Sequence, residues 1–397
     1  MPDALDRIAA TIVAQETRGL GERRWRRCLE ACPGDPVAAL GAAGAAGVAS
    51  AARSAWRRWQ RPSVREEARR RARRFLAAGG RLLLAGEPGF PPRLAAVPWM
   101  PVALYLQGAA PLPGHAATLV GTRRATPSAC DITRRLAAAI ARAGVSVVSG
   151  LALGIDAAAH RGALEAGGPT VAVLGTGTDR CYPRQHRQLR DRIAAGGLLI
   201  SQLPPGTGPR AYQFPARNRI LAALADVVVV VQAPAASGAL ITARQALELG
   251  VEVMAVPGDP CLPENAGSNR LIADGAAPVL DASDLLGAVF GMAWPVPAAA
   301  EPAKLPAMLG GHARRLLAAI DLTPRSLEAT AAAIGLRIAD VLEAAIELEL
   351  AGLAESLPGG HLRLTPRGAR SARRPGDGCA GRPPGERESE AWDGSGT

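Results

Sequence analysis

The sequence predicts an α/β protein whose core is a doubly wound parallel sheet. Three observations carry that prediction. From about residue 80 to 290, short apolar runs alternate with amphipathic stretches of helical length, the pattern of βαβ units. Val227-Val228-Val229-Val230-Val231 shows no polar alternation, as a strand covered on both faces requires. Nearly every apolar run ends in a polar loop containing glycine, which is where such sheets hold ligands.

The elements follow in order. Residues 1–75 are rich in Ala and Arg with helical spacing, and predict a helical module. Residues 76–290 predict the sheet domain. Its first clear strand is Thr118-Leu119-Val120-Gly121. A helix from about Ser128 to Ala143 follows, with Ile132, Leu136 and Ile140 on one face, and Gly144 suits its C-terminal cap. Further strands are expected at residues 145–148, 170–174, 198–200, 227–231 and 251–256, with a helix near residues 156–166. Together these describe a Rossmann-like sheet. Residues 291–307 carry Pro295, Pro297, Pro302 and Pro306 and read as a linker. Residues 308–366 predict a winged-helix domain, with helices at 312–320, 326–334 and 338–350 and a hairpin for the wing. The tail 367–397 is rich in Gly, Pro and charge and is expected to be disordered.

Composition narrows the function. The formal net charge is +11, and Lys304 is the single lysine, so the positive charge is almost all arginine. Part of that reflects a codon bias toward Arg and Ala. The net sign still fits a polyanionic partner, and the planar guanidinium donates two parallel bonds to a phosphate. Six scattered cysteines, with only Cys28 and Cys32 close together, complete no zinc set and suggest free thiols in a reducing compartment. No apolar span and no basic-then-apolar leader is seen, so a soluble cytoplasmic protein is expected. No Walker A motif is present, which argues against ATP hydrolysis, and Gly-x-Gly-x-x-Gly does not open the first βα unit.

The loops at the strand ends supply the candidate site. They are Gly121-Thr122-Arg123-Arg124; Ser149-Gly150 through Gly154; Gly175-Thr176-Gly177 with Arg184 beyond; Phe214 with Arg217-Asn218-Arg219; Ser237-Gly238; and Asn269. Small residues let backbone amides approach a phosphate, and helix N-termini favour its charge. Loops of this kind gathered on one edge, with five arginines among them, point to a phosphate-bearing ligand. Asp156 and His160, four apart on one helix, could form an acid–base pair. Bonding of Asp156 to local amides and of His160 to a neighbouring segment is the plainer reading, and no nucleophile is adjacent. No catalytic residue, metal or cofactor is expected.

The set becomes specific when read as a series. Val120-Gly121-Thr122-Arg123, Ser149-Gly150-Leu151-Ala152-x-Gly154-Ile155-Asp156, Leu174-Gly175-Thr176-Gly177, Tyr182-Pro183, Phe214-Pro215-x-Arg217-Asn218-Arg219, Ser237-Gly238-x-Leu240-Ile241-Thr242, Val256-Pro257-Gly258 and Gly267-x-Asn269 occur in the order and spacing of the DNA-processing protein A (DprA/Smf) family. The chain resembles that family from about residue 100 to 285. The resemblance implies an extended Rossmann fold that binds single-stranded DNA, forms a homodimer, and protects incoming strands and loads RecA recombinase during natural transformation. It also implies that Arg123, Arg184 and the Arg217-Asn218-Arg219 group take the DNA backbone. Phe214 would lie near a base, where stacking contributes about 1–3 kcal/mol. Two departures stand out: Leu153 where the family usually has Arg, and Gln202 where it usually has Glu. The rival reading is a nucleotide-binding hydrolase of the lysine-decarboxylase-like group. The phosphate loop of that group contains a second glycine that Ala236-Ser237-Gly238-Ala239 lacks.

The flanking modules read differently from one another. The N-terminal segment, with Gly19-Leu20-Gly21 between helical patterns and four arginines just after, resembles a degenerate SAM or helix-hairpin-helix module. It is either a second nucleic-acid contact or a solvated basic face. The third helix of the winged domain carries Asp340, Glu343, Glu347 and Glu349 and no Lys or Arg. It should repel phosphate, so a protein-contact or structural role is expected there.

Overall fold

A computed structural model describes residues 3–45, 50–97, 99–291, 309–321, 323–357 and 359–365. Apart from residue 291, the expected linker 291–307 and the expected disordered tail 367–397 lie outside the described residues. The chain divides into two compact units, Met1–Trp294 and Pro295–Thr397.

The first unit opens with five helices: α1 (Ala4–Gln15), α2 (Glu22–Ala31), α3 (Pro36–Ala45), α4 (Ser50–Gln60) and α5 (Pro62–Ala77). Then come β1 (Gly80–Leu84), α6 (Pro92–Ala96), β2 (Ala103–Gln107), β3 (Ala116–Val120), α7 (Pro127–Arg142), β4 (Ser146–Ser149), α8 (Ile155–Glu165) and β5 (Thr170–Val173). The chain continues through α9 (Arg187–Gly196), β6 (Leu198–Ser201), α10 (Gln213–Ala223), β7 (Val227–Val230), α11 (Gly238–Glu248), β8 (Glu252–Ala255), α12 (Ala266–Ala273), β9 (Ala277–Pro278) and α13 (Ala282–Phe290).

The nine strands form one sheet in the order β1-β2-β6-β5-β4-β3-β7-β8-β9. From β6 to β9 every pairing is parallel. The β1–β2 and β2–β6 pairings are antiparallel, so an antiparallel edge, which the periodicity did not anticipate, extends the sheet. The β7 valines divide between its faces. Val228 and Val230 pack with Ile220 and Leu221 of α10 and Ala243 of α11. Val227 and Val229 pack with Leu136 and Ile140 of α7 and Leu285 of α13. Burying each such side chain stabilises the fold by about 1.5–3 kcal/mol. Helices on both faces make the sheet doubly wound, as expected.

The N-terminal helices do not have a core of their own. Trp25, Trp59 and Phe75 bury together with Leu84 of β1 and Tyr105 of β2. The rings of Phe75 and Tyr105 meet edge to face, with centroids 5.6 Å apart. Helix α5 runs to Ala77, two residues past the expected edge of the module.

The second unit contains α14 (Gly311–Ala319), β10 (Arg325–Ser326), α15 (Leu327–Ile334), α16 (Ile338–Leu350), β11 (Ala354–Leu357) and β12 (His361–Leu364). The last two strands pair antiparallel as the wing, and β10 adds to β12. Three helices around Leu316, Val341 and Leu348, with this small sheet, make the winged helix. Among the described residues no helix is long and apolar enough to cross a membrane.

Candidate nucleic-acid interface

Strand order reverses at β3. The chain steps outward from β3 through β4, β5 and β6 on one side and through β7, β8 and β9 on the other. Loops leaving β3 and β7 therefore part in opposite directions and leave a crevice at their carboxyl ends. A cavity of about 690 Å³ lies there.

Its first wall is the loop after β3. Thr122 donates its amide to the Gln232 carbonyl at 2.7 Å, which ties this loop to the one after β7. Position 121 must be glycine for this approach: a Cβ would lie 2.4 Å from Ile155 Cγ1 and 2.8 Å from the Gln232 oxygen. Arg123 and Arg124 are exposed on this wall, and neither has an ion-pair partner among the described residues. The second wall is the start of α11, where the Ser237 hydroxyl accepts from the Ala239 amide and Gly238 opens the helix. Thr242 also lines the cavity. Phe214 and Asn218 of α10 close the third side.

The Phe214 ring stands against Gly175, where a Cβ would lie 2.7 Å from the ring. Tyr182 packs beside it at 5.3 Å between centroids, and the Arg123 guanidinium lies over it at 5.8 Å. A smaller cleft of about 60 Å³ joins Gly150, Leu153, Tyr182, Phe214 and Arg123. Leu153 is 40% exposed here and brings no charge.

Arg217 has a different place from Arg123. It is 4% exposed. Its Nη1 donates to the Gly150 carbonyl at 2.6 Å and to the Val173 carbonyl, so the guanidinium ties the ends of β4 and β5 to α10. Burial, opposed by the Asp156 charge and aided by that of Arg123, pulls its pKa down to about 10. Asp156 is buried too, and its Oδ2 accepts from the amides of Gly150 and Ala152 at 3.1 and 3.2 Å. Burial raises its pKa, and the Arg217 charge opposes the rise. His160 bonds Thr170 through Nδ1 at 2.8 Å. Oδ2 of Asp156 is thus engaged by backbone amides and Nδ1 of His160 by Thr170.

Other singled-out residues serve the frame and line neither cavity. The Ser149 hydroxyl donates to the Leu119 carbonyl. Gly154, at φ +73°, packs where a Cβ would meet the Thr122 oxygen at 2.3 Å. Thr176 donates to the Arg180 carbonyl, and the Gly177 amide to that of Thr207. Asn269 holds both backbone groups of Gly258 at 3.0 Å. Arg184 is exposed in the short turn after Pro183, and Arg219 is half-buried.

Arg210 was not singled out by sequence, yet it lines the cavity and is exposed. It ends Pro204-Pro205-Gly206-Thr207-Gly208-Pro209, the loop that leaves β6, so the strand-end rule applied to that strand would have found it. Among the described residues no group of three His, Cys, Asp or Glu side chains is placed to hold a metal.

A family described as DNA recombination-mediator protein A matches residues 81–290, and a DprA winged helix domain matches residues 297–360. The Smf protein of Synechocystis is 35% identical over 315 residues, covering 70% of this chain and 78% of that protein. Smf of Escherichia coli is 36% identical over 291 residues, covering 71% and 77%. The X-ray structure of DNA processing protein A from Streptococcus pneumoniae superposes with a TM-score of 0.57 at 30% identity, covering 72% of this chain and 98% of that one.

Proposed function

Because the chain belongs to the DNA recombination-mediator protein A family, we propose that its crevice at β3 and β7 binds single-stranded DNA and that the protein passes the strand to the RecA recombinase. The observation that carries the reading is the cavity itself. Three exposed arginines, Arg123, Arg124 and Arg210, surround a helix N-terminus and the partly exposed ring of Phe214. Guanidinium groups and the open end of α11 suit phosphates, and the ring offers one base a stacking face. Among the described residues that line the cavity, Asp156 alone is acidic, and its Oδ2 is occupied by amides. The role is binding and delivery without a chemical step, carried out by a pair of chains that protects incoming strands during transformation.

The test is fluorescence anisotropy with a labelled single-stranded oligonucleotide, using wild type and Arg123→Ala with Arg124→Ala. These side chains are exposed, so the fold should survive their loss. Binding that prefers single strands to duplex and weakens at least tenfold in the variant supports the reading. Binding unchanged in the variant sinks it. Delivery is read separately, as RecA filament growth on strands coated with single-strand-binding protein, and pairing by analytical ultracentrifugation.

A further inference from the structure

We propose a second phosphate-binding groove, continuous with the first, in which the N-terminal helices and the sheet edge together hold the onward course of a single strand. This rests on the reading that the first cavity takes single-stranded DNA. A second cavity, of about 450 Å³, is formed by α5, the loop after β5 and the loop after β6. Arg210 lines both cavities and is the hinge of the argument. A strand seated on Arg123 and Arg124 reaches the second groove by passing Arg210.

The groove is built and held. Arg71 of α5 donates from Nε to the Pro205 carbonyl at 2.8 Å, fastening the β6 loop to the helical module. The Gly206 amide donates to Asp179 at 2.7 Å, and the Gly177 amide to the Thr207 carbonyl at 2.9 Å, fastening the same loop to the end of β5. Its charge is also decided by partners. Glu16 pairs with Arg71, and Glu67 pairs with Arg70, which lies outside the groove. Asp179 takes the Gly206 amide and lies 3.6 Å from Arg180. Once these pairs are set aside, Arg74 and Arg210 remain, both exposed and without an ion pair among the described residues, and Arg180 stays 59% exposed beside its carboxylate. Among the described residues no exposed aromatic ring lines this groove, because Phe75 is turned into the core at 2% exposure. The ligand class is therefore the phosphate backbone of a single strand and not its bases.

The test compares two fluorescein-labelled oligothymidylates, one of about 6 nucleotides that fits a single site and one of about 20 that reaches both. The variants are Arg74→Ala with Arg180→Ala, and Arg73→Ala as a neighbour. Arg73 lies on the same helix but is paired with Glu66 and does not line the groove. The double variant should lose about three- to tenfold in affinity for the longer strand and none for the shorter. Its salt dependence for the longer strand should flatten by about 0.7 in log–log slope per phosphate released. Thermal melts equal to wild type exclude a folding defect. Equal affinity and slope on the longer strand overturn the groove while leaving the first site standing, and an equal loss from Arg73→Ala overturns it as diffuse helix charge. If wild type binds neither strand, the parent reading fails and takes this one with it.

Discussion

Two arginines, 94 positions apart in sequence and both at the crevice, do different work. Arg217 is buried on two carbonyls beside Asp156, whereas Arg123 is exposed over Phe214. Replacing Arg217 by Ala leaves a buried carboxylate without its compensating charge and two carbonyls without a donor. That should cost about 3–5 kcal/mol, read as a lower urea midpoint. Arg123→Ala should leave stability within about 0.5 kcal/mol and still weaken DNA binding. His160 makes a second prediction. The Thr170 hydroxyl donates to the Val147 carbonyl, so Nδ1 of His160 donates to Thr170, and Nε2 is buried without a partner. Burial, with His186 and Arg217 nearby, lowers its pKa to about 3. The unfolded chain takes up this proton below about pH 6.5 and the folded chain does not. The stability that His160 contributes is therefore complete above pH 6.5 and is lost as pH falls toward 3, at about 1.4 kcal/mol per unit. His160→Gln should flatten the unfolding free energy between pH 6 and 4 by roughly that slope; an unchanged slope would contradict the assignment.

At the scale of elements, the site depends on turns too tight for a side chain. Gly154 combines φ +73° with backbone packed against Thr122, so both strain and overlap meet an added methyl. Gly154→Ala should destabilise the protein by about 1–3 kcal/mol and displace the Arg123 loop, weakening DNA binding as well. The winged helix behaves otherwise. Helix α16 exposes Ile338, Leu342, Ile346 and Leu350, and carries Glu343, Glu347 and Glu349 with no basic residue along its length. A chain ending at residue 294 keeps the sheet and its own cores. Its affinity for single strands should lie within about twofold of the full chain by anisotropy, since an acidic helix offers phosphate nothing.

At the scale of the whole molecule, the net charge of +11 overstates the charge that a strand bound as proposed would meet. Arg26 spends its guanidinium on four backbone carbonyls, Arg69 on Asp6 and Arg134 on Glu165. Arg123, Arg124 and Arg210 are among those left. Each phosphate neutralised on a single strand contributes about −0.7 to the slope of log affinity against log salt. The first site should therefore show a slope near −2 on a short oligonucleotide, and loss of all three arginines should bring it close to zero. A slope that stays steep after loss of the three arginines would mean that binding spreads over the basic helices.

What the sequence determined by itself is whatever local chemistry decides. Periods of two and 3.6 separate strands from helices, and the ranges expected at 170–174, 198–200 and 338–350 meet β5, β6 and α16 almost residue for residue. Glycines at strand ends announce turns because only they tolerate the approach seen at Gly121 or the positive φ of Gly154. The parallel sheet and the edge where its strand-end loops gather follow from that alternation. The tertiary structure alone decided which arginine faces solvent and which is buried, because that depends on contacts between distant segments. Arg217 meets carbonyls 67 and 44 residues away, while Arg210 reaches the crevice because it stands just before α10, which packs Phe214 and Asn218 there. The antiparallel edge and the core that the N-terminal helices share with it are equally non-local. Short strands such as β1 and β2 carry little periodicity, and it is partners far along the chain that place them.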